Sequence, residues 1–371
     1  MKRKLFMFII GIALLLNSAM VSPCTSFILK NYNNLLLGHN LDWHFGTGLL
    51  IINKRNVEKI ALMDSAENPA KWVSKFGSIT FNQVGRDLPY GGMNEKGLVI
   101  EQMTLDQTKY PGKDSRQSIS ACQWIQYQLD NCSTIQEVIS TDNVLRIVDR
   151  VSKFHFLICD SKGNSAVIEF INGKMVIRTN ELHPITVLAN SPYDESTSAY
   201  KTKINTEFNR SLYNFCTAAS MIDDYSKNNV KDDIAYSFNI LNSVAQGHFT
   251  KWSIVYDIQN LEIYFKVFES PTLTETEITF LKDEGYSRTK IVDLKEINFT
   301  CLSPCLVMEL ELDQEGLVNS YFQKYTTNIN KDYISKAFDY FWRLGIPIQI
   351  SDEELNFLAK YPESFKCIDS K

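Results

Sequence analysis

Cys24 follows an apolar N-terminal stretch and precedes the strand-like run Thr25-Ser26-Phe27-Ile28-Leu29. Thiolate is the reactive form of cysteine, and a free thiol titrates at about 8.5. An α-amino group titrates at about 7.7–8.0, so its neutral form can take the thiol proton near neutral pH. A chain that begins at Cys24 therefore carries nucleophile and base on one residue, with no histidine needed. Two other readings stand beside this one. Cys24 is an ordinary structural thiol, or it is the acylated cysteine of a lipoprotein, since Val21-Ser22-Pro23-Cys24 loosely resembles a lipobox. Proline directly before the scissile bond fits that second alternative poorly.

What would expose Cys24 is a cleavable leader. Lys2, Arg3 and Lys4 form a basic segment, residues 5–16 are almost unbroken apolar sequence, and Asn17-Ser18-Ala19 suits signal peptidase. The apolar run is shorter than the roughly 20 residues of a spanning helix. Residues 1–23 are thus read as a signal peptide with a short propeptide, 20–23, removed in a second step by the enzyme itself. The mature protein is expected to be exported, periplasmic or extracellular, with no membrane span. Residues 24–371 are expected to form one domain, with 270–371 a C-terminal extension of weaker signal.

The composition narrows the choice of partner. A net charge of −5 with no basic cluster argues against nucleic acid. No Cys-x-x-Cys occurs among the eight cysteines and the histidines are scattered, so neither metal nor cofactor is expected. Cys301 and Cys305 are the nearest cysteine pair in sequence, while Cys122 and Cys216 fall on apolar helix faces as small hydrophobes. The expected partner is a small molecule, and a homo-oligomer is compatible with the chain.

The elements that must hold these residues can be read from periodicity. Strands are expected at 25–29, 35–43, 49–53, 59–63, 77–84 and 98–105, with a turn at Asn33-Asn34 and another over Gly91 to Gly97. Ile119, Cys122, Ile125 and Leu129 recur at helical spacing, and Ser133 with Gln136 suggests a capping box for a second helix. Strands return at 154–159 and 165–171. Two more helices carry Leu212, Phe215 and Ala219, then Ile234, Phe238 and Leu241, before a hairpin of 252–256 with 261–267. The segment 329–358 is expected to be helical in part. This is an α+β order, in which two antiparallel sheets lie between helix layers.

Several stretches carry a resemblance: Cys24-Thr25-Ser26-Phe27, Gly38-His39-Asn40-Leu41-Asp42-Trp43, Gly92-Met93-Asn94-Glu95-Lys96-Gly97-Leu98, Leu188-Ala189-Asn190-Ser191-Pro192 and Trp252-Ser253-Ile254-Val255-Tyr256-Asp257. In this order and spacing the chain resembles the choloylglycine hydrolase family over residues 24–267. That family includes bile salt hydrolases and penicillin V acylases. The resemblance implies a four-layer αββα N-terminal-nucleophile hydrolase that cleaves a linear carbon–nitrogen amide bond of an N-acyl substrate. It also implies roles: Cys24 as nucleophile, Asp42 orienting its amine, and Asn190 donating to the developing oxyanion. Such donors typically contribute about 3–4 kcal/mol to lowering the barrier.

Three positions depart from the family pattern. His39 stands where an arginine is usual, and a neutral imidazole weakens the field that stabilises the thiolate. A Cys24–His39 dyad is the alternative it opens. Thr104 stands where bile salt hydrolases place asparagine, with its backbone N–H still able to serve the oxyanion. The family's later arginine falls on Asn214, with Arg210 one turn earlier as a substitute. These departures leave the acyl group and amine open. An apolar acyl pocket is expected near Trp43, Phe45 and the segment after Leu105. The rival of a different class is a catalytically silent exported binding protein, or a lipoprotein anchored through Cys24.

Overall fold

Strand alternation decides the layering. In Val99–Thr104, Val99, Glu101 and Met103 point one way, while Leu98, Ile100 and their neighbours pack the other way. Both faces are buried, so this sheet has a core on each side. The computed structural model describes residues 23–368 apart from 33, 150–151, 180–181, 228–229, 269–288, 303–304 and 345–348. The expected leader, its cleavage region through Ser22 and Asn33 of the first turn lie outside the described residues.

Two large sheets form the centre. In the first, seven strands run in the order Val187–Leu188, Thr25–Lys30, Leu35–Asp42, Thr250–Asp257, Glu262–Val267, Lys290–Asp293, Gly316–Leu317. In the second, nine strands run from Lys174–Thr179 through Ser165–Ile171, Phe154–Cys159, Val99–Thr104, Gly91–Asn94, Ser78–Asn82 and Leu49–Asn53 to Leu306–Glu309 and Gln323–Lys324. Pairing is antiparallel throughout both, save the parallel edge pair of Lys290–Asp293 with Gly316–Leu317. Inner faces meet through Ile28, Leu41, Leu50, Ile52, Phe81, Met103 and Leu157, among others. Helices Ala121–Asn131 and Ile135–Ser140 cover the outer face of the nine-stranded sheet, where Trp124 and Ile125 pack on Phe156 and Ile100. Helices Arg210–Lys227 and Asp233–Ser243 cover the seven-stranded sheet through Phe215, Ala218, Ile240 and Leu241. The four layers are α, β, β and α, as expected.

The C-terminal region is part of this body. Its short strands extend both sheets, and helix Thr327–Arg343 packs Phe338 and Phe341 against Phe45. Phe45 is fully buried and stacked on Tyr340, so it is core and does not line an acyl pocket as expected. Cys301 pairs with Cys367 and not with Cys305. The disulfide fixes the C-terminal strand Lys366–Cys367, which pairs with Val57–Ile60.

Smaller differences from the sequence reading have local causes. The strand expected at 59–63 is Val57–Ile60, paired with Lys71–Val73 in a small separate sheet. The capping box lies one residue later than expected: Thr134 caps, and Glu137 returns its carboxylate to the N–H of Thr134. Gly91 and Gly92 belong to a strand and not to the turn. A side chain at Gly91 would have its Cβ 2.1 Å from Glu101 Oε2, so glycine is what makes space for that carboxyl group.

Candidate active site

The site forms at one end of the seven-stranded sheet, and register puts it there. Thr25 pairs with Asn40 and Ser26 with His39, so Cys24 comes opposite Leu41 and next to Asp42. On the other side Ser26 pairs with Leu188 and Phe27 with Val187. That ladder ends at Leu188, two residues before Asn190.

Cys24 is 6% exposed, and its Sγ lies 3.8 Å from the backbone oxygen of Asp42. Burial, then the charge of Asp42, holds the thiol well above its usual range. In the chain with Pro23 still attached the sulfur is therefore a protonated thiol. Asp42 is fully buried. Its carboxylate accepts from Thr250 Oγ1 and, at 3.1 Å, from Gln246 Nε2. Thr250 pairs with Asp42 across the sheet, at a bulge before Trp252.

Asn190 has both side-chain polar atoms buried and without a hydrogen-bond partner. A buried amide left unpaired costs about 1–3 kcal/mol, so the unpartnered Asn190 amide is open to a ligand carbonyl. Asn214 is fully buried on the helix over the first strand, where its Nδ2 donates to Pro23 O at 3.3 Å and Thr25 Oγ1 at 3.2 Å. Gln246 Nε2 donates to the same Pro23 oxygen at 2.6 Å. Arg210, the proposed substitute, has other partners. Its guanidinium donates to Ala245 O at 3.0 Å and lies over the Tyr213 ring.

His39 is not paired with Cys24. Alternation turns it between the sheets, where Nδ1 lies 2.8 Å from Ser26 Oγ and Nε2 faces Glu101 Oε2 at 3.5 Å. Ser26 Oγ donates to Met103 Sδ at 3.1 Å, and Tyr256 donates to Glu101 Oε1 at 2.5 Å. Burial lowers the imidazole pKa to about 3 and raises that of Glu101 well above its ordinary value. The chain Tyr256, Glu101, His39, Ser26 and Met103 is then uncharged, with the Glu101 proton directed at Nε2 and the Nδ1 proton at Ser26. It offers no cation to a thiolate, and no Cys24–His39 dyad is formed.

Thr104 ends its strand, half-buried, opposite Phe154. Because Leu105 N donates to Lys153 O, the N–H of Thr104 points to the other side of the strand, past the last pairing with Gly91. It is the inward-facing Met103, not Thr104, that reaches the Cys24 strand. Gln246, Thr250 and Glu101 have no signal in the sequence. They sit in unrelated patterns, and only the sheet pairings bring them to the site.

Comparison with known proteins agrees with this fold. The profile of the linear amide C–N hydrolases, choloylglycine hydrolase family, matches residues 24–202. A penicillin V acylase of Pectobacterium atrosepticum is 26% identical over 340 residues, covering 78% of this chain and 85% of the relative. Among solved structures, a penicillin V acylase from Agrobacterium tumefaciens superposes with a TM-score of 0.66 at 24% identity, covering 82% of this chain and 98% of that one. A variant of the conjugated bile acid hydrolase from Clostridium perfringens gives a TM-score of 0.60 at 19% identity, covering 82% and 97%. Shared fold, ordered motifs and family profile converge: residues 24–202 carry the domain of the choloylglycine hydrolase family of linear amide C–N hydrolases.

Proposed function

We propose that the protein, exported and cut before Cys24, hydrolyses the amide bond of an N-acyl substrate with Cys24 as its N-terminal nucleophile. The observation that carries this reading is the buried Cys24 with its Sγ 3.8 Å from the Asp42 backbone oxygen, and the unpartnered Asn190 amide supports it. Once the α-amino group is free, it takes the thiol proton, and Asp42 orients the resulting ammonium. The sulfur attacks the acyl carbonyl, and Asn190 donates to the oxyanion. The ammonium returns its proton to the leaving amine, and water then cleaves the thioester.

A neutral His39 in place of the family's arginine makes the free amine and Asp42 the principal charges around the sulfur. The acyl group is proposed to be apolar, as in penicillin V or a conjugated bile salt, the compounds named for the relatives. A disulfide between Cys301 and Cys367 supports an oxidising compartment outside the cytoplasm. Lipid attachment at Cys24 is disfavoured, because the residue is buried and its amine would be blocked.

The test is a panel assay on purified exported protein with penicillin V, glycine- and taurine-conjugated bile salts and N-acyl amines, alongside Cys24→Ser. Turnover of at least one class, abolished in the variant, is expected. No turnover on any class by a chain that begins at Cys24 refutes the hydrolase reading.

A further inference from the structure

Asn190 is followed by a turn that would ordinarily engage its side chain. An asparagine in a turn accepts from the backbone N–H two residues on, but that residue is Pro192, which has none. The next N–H belongs to Tyr193, three residues on, the spacing at which a capping side chain accepts. Tyr193 also opens the helix Tyr193–Thr202, and Pro192 before it supplies no side-chain cap. A first-turn N–H needs an acceptor from outside the helix, and Asn190 Oδ1 is the local one. It is not used. Tyr193 N donates instead, at 3.0 Å, to Glu169 Oε1 from strand Ser165–Ile171 of the nine-stranded sheet, and the Asn190 amide is left without a partner.

Glu169 is equipped to win that competition. It is fully buried, and alternation sets it on the same inner face as Val167. His155 Nδ1 lies 3.4 Å from its Oε1, and Arg178 Nη1 donates to its Oε2 at 2.8 Å. Burial pushes the carboxyl up, but His155, the Tyr193 N–H and Arg178 outweigh it and hold the group below its ordinary value, so it accepts as a carboxylate. A hydrogen bond to a charged acceptor is about twice as strong as one to a neutral amide oxygen. Arg178 extends the hold by donating to both Asp194 oxygens, at 2.7 and 2.6 Å. Ser191 Oγ donates to Ser211 Oγ at 2.9 Å, on the helix whose Asn214 reaches Thr25. The turn is thus fixed at residues 191, 193 and 194, while the amide of residue 190 stays open.

We propose that Glu169 is a positioning residue: by taking the Tyr193 N–H it denies Asn190 its local partner and keeps that amide available to a substrate carbonyl. The inference rests on the proposed hydrolase reading, in which Asn190 is the oxyanion donor. Without the carboxylate, Asn190 Oδ1 turns to the Tyr193 N–H, and Nδ2 is carried away from the substrate.

The experiment pairs kinetics with crystallography on the chain that begins at Cys24, using the amide that the panel assay shows it to cleave. Glu169→Ala removes the acceptor. Glu169→Met removes it at nearly constant size and serves where the alanine variant does not melt cooperatively. Either should lower kcat about 10²–10³-fold with KM little changed, the range for loss of one oxyanion donor. Adding Asn190→Ala should lower kcat no further, because the donor is already lost. A residue that served folding alone would give losses that multiply. Asp194→Ala, which removes the outer partner of Arg178, should keep the wild-type kcat. The crystal structure of the Glu169 variant should show Asn190 Oδ1 within hydrogen-bond distance of Tyr193 N. A folded Glu169 variant with wild-type kcat, a multiplied loss in the double variant, an Asp194→Ala loss as large as that of Glu169→Ala, or an Asn190 amide unmoved in the crystal overturns the proposal. The two readings fail separately: a wild-type chain inactive on every amide sinks the hydrolase alone, since the crystal structure still decides whether Glu169 keeps the Asn190 amide open.

Discussion

His39 Nε2 lies 3.5 Å from Glu101 Oε2, and both side chains are sealed between the two sheets. Their titrations act on stability in opposite senses. Burial raises the Glu101 pKa well above its ordinary value. Above the ordinary carboxylate value, folded Glu101 keeps a proton that the unfolded chain has lost, so its stabilisation is full at low pH and falls as pH rises. Burial lowers the His39 pKa to about 3. Below about 6.5 the unfolded imidazole takes up a proton that the folded one refuses, so its contribution is full above that value and lost as pH falls toward 3. Glu101→Gln keeps a group that can bond Tyr256 and removes only the first effect. Melting temperatures from pH 5 to 9 should therefore fall more steeply for wild type than for this variant, and parallel curves would refute the assignment.

Asn190→Ala should lower kcat about 10²–10³-fold, the range for removal of one oxyanion donor. Because the amide has no partner to lose, the melting temperature should hold or rise slightly. Steady-state kinetics and a thermal melt on one preparation check both halves. A large loss of stability with intact kcat would make Asn190 a structural residue.

Asp42→Asn should remove the charge that favours the ammonium form of the Cys24 amine. The amine pKa then drops, and since the base must be neutral, the acid limb of the kcat/KM profile moves to lower pH. The plateau should fall about 10²–10⁴-fold as the amine loses its orientation. An unmoved acid limb would show that Asp42 acts only by packing with Thr250 and Gln246.

Breaking the Cys301–Cys367 disulfide opens a link spanning 66 residues, worth up to about 4 kcal/mol by loop-closure entropy. Replacing both with serine should lower the melting temperature by several degrees, and kcat should change little because the bond lies at the C-terminal strand. Reductant should shift wild type by the same amount and leave the double variant unmoved. A melt insensitive to both changes would mean that the C-terminal strand is held by its pairing alone.

Much of this protein is written locally. Alternation placed 25–29 and 35–43 as a hairpin, and a hairpin's register is short-range, so Cys24 beside Asp42 follows from the sequence. Helical spacing of Ile125 and Leu129, and of Phe215 and Ala219, marked both outer layers. What only the tertiary structure decided are meetings across long stretches of chain. Gln246 and Asn214 reach Pro23 across 223 and 191 residues, and Tyr256 reaches Glu101 across 155. The short C-terminal strands Leu306–Glu309 and Gly316–Leu317 hardly announce themselves, because their stability comes from the ladder they join and not from their own propensity. His39 shows the limit most plainly. Its residue type suggested a partner for Cys24, but strand alternation turned it inward, and burial between the sheets made it a neutral neighbour of Glu101.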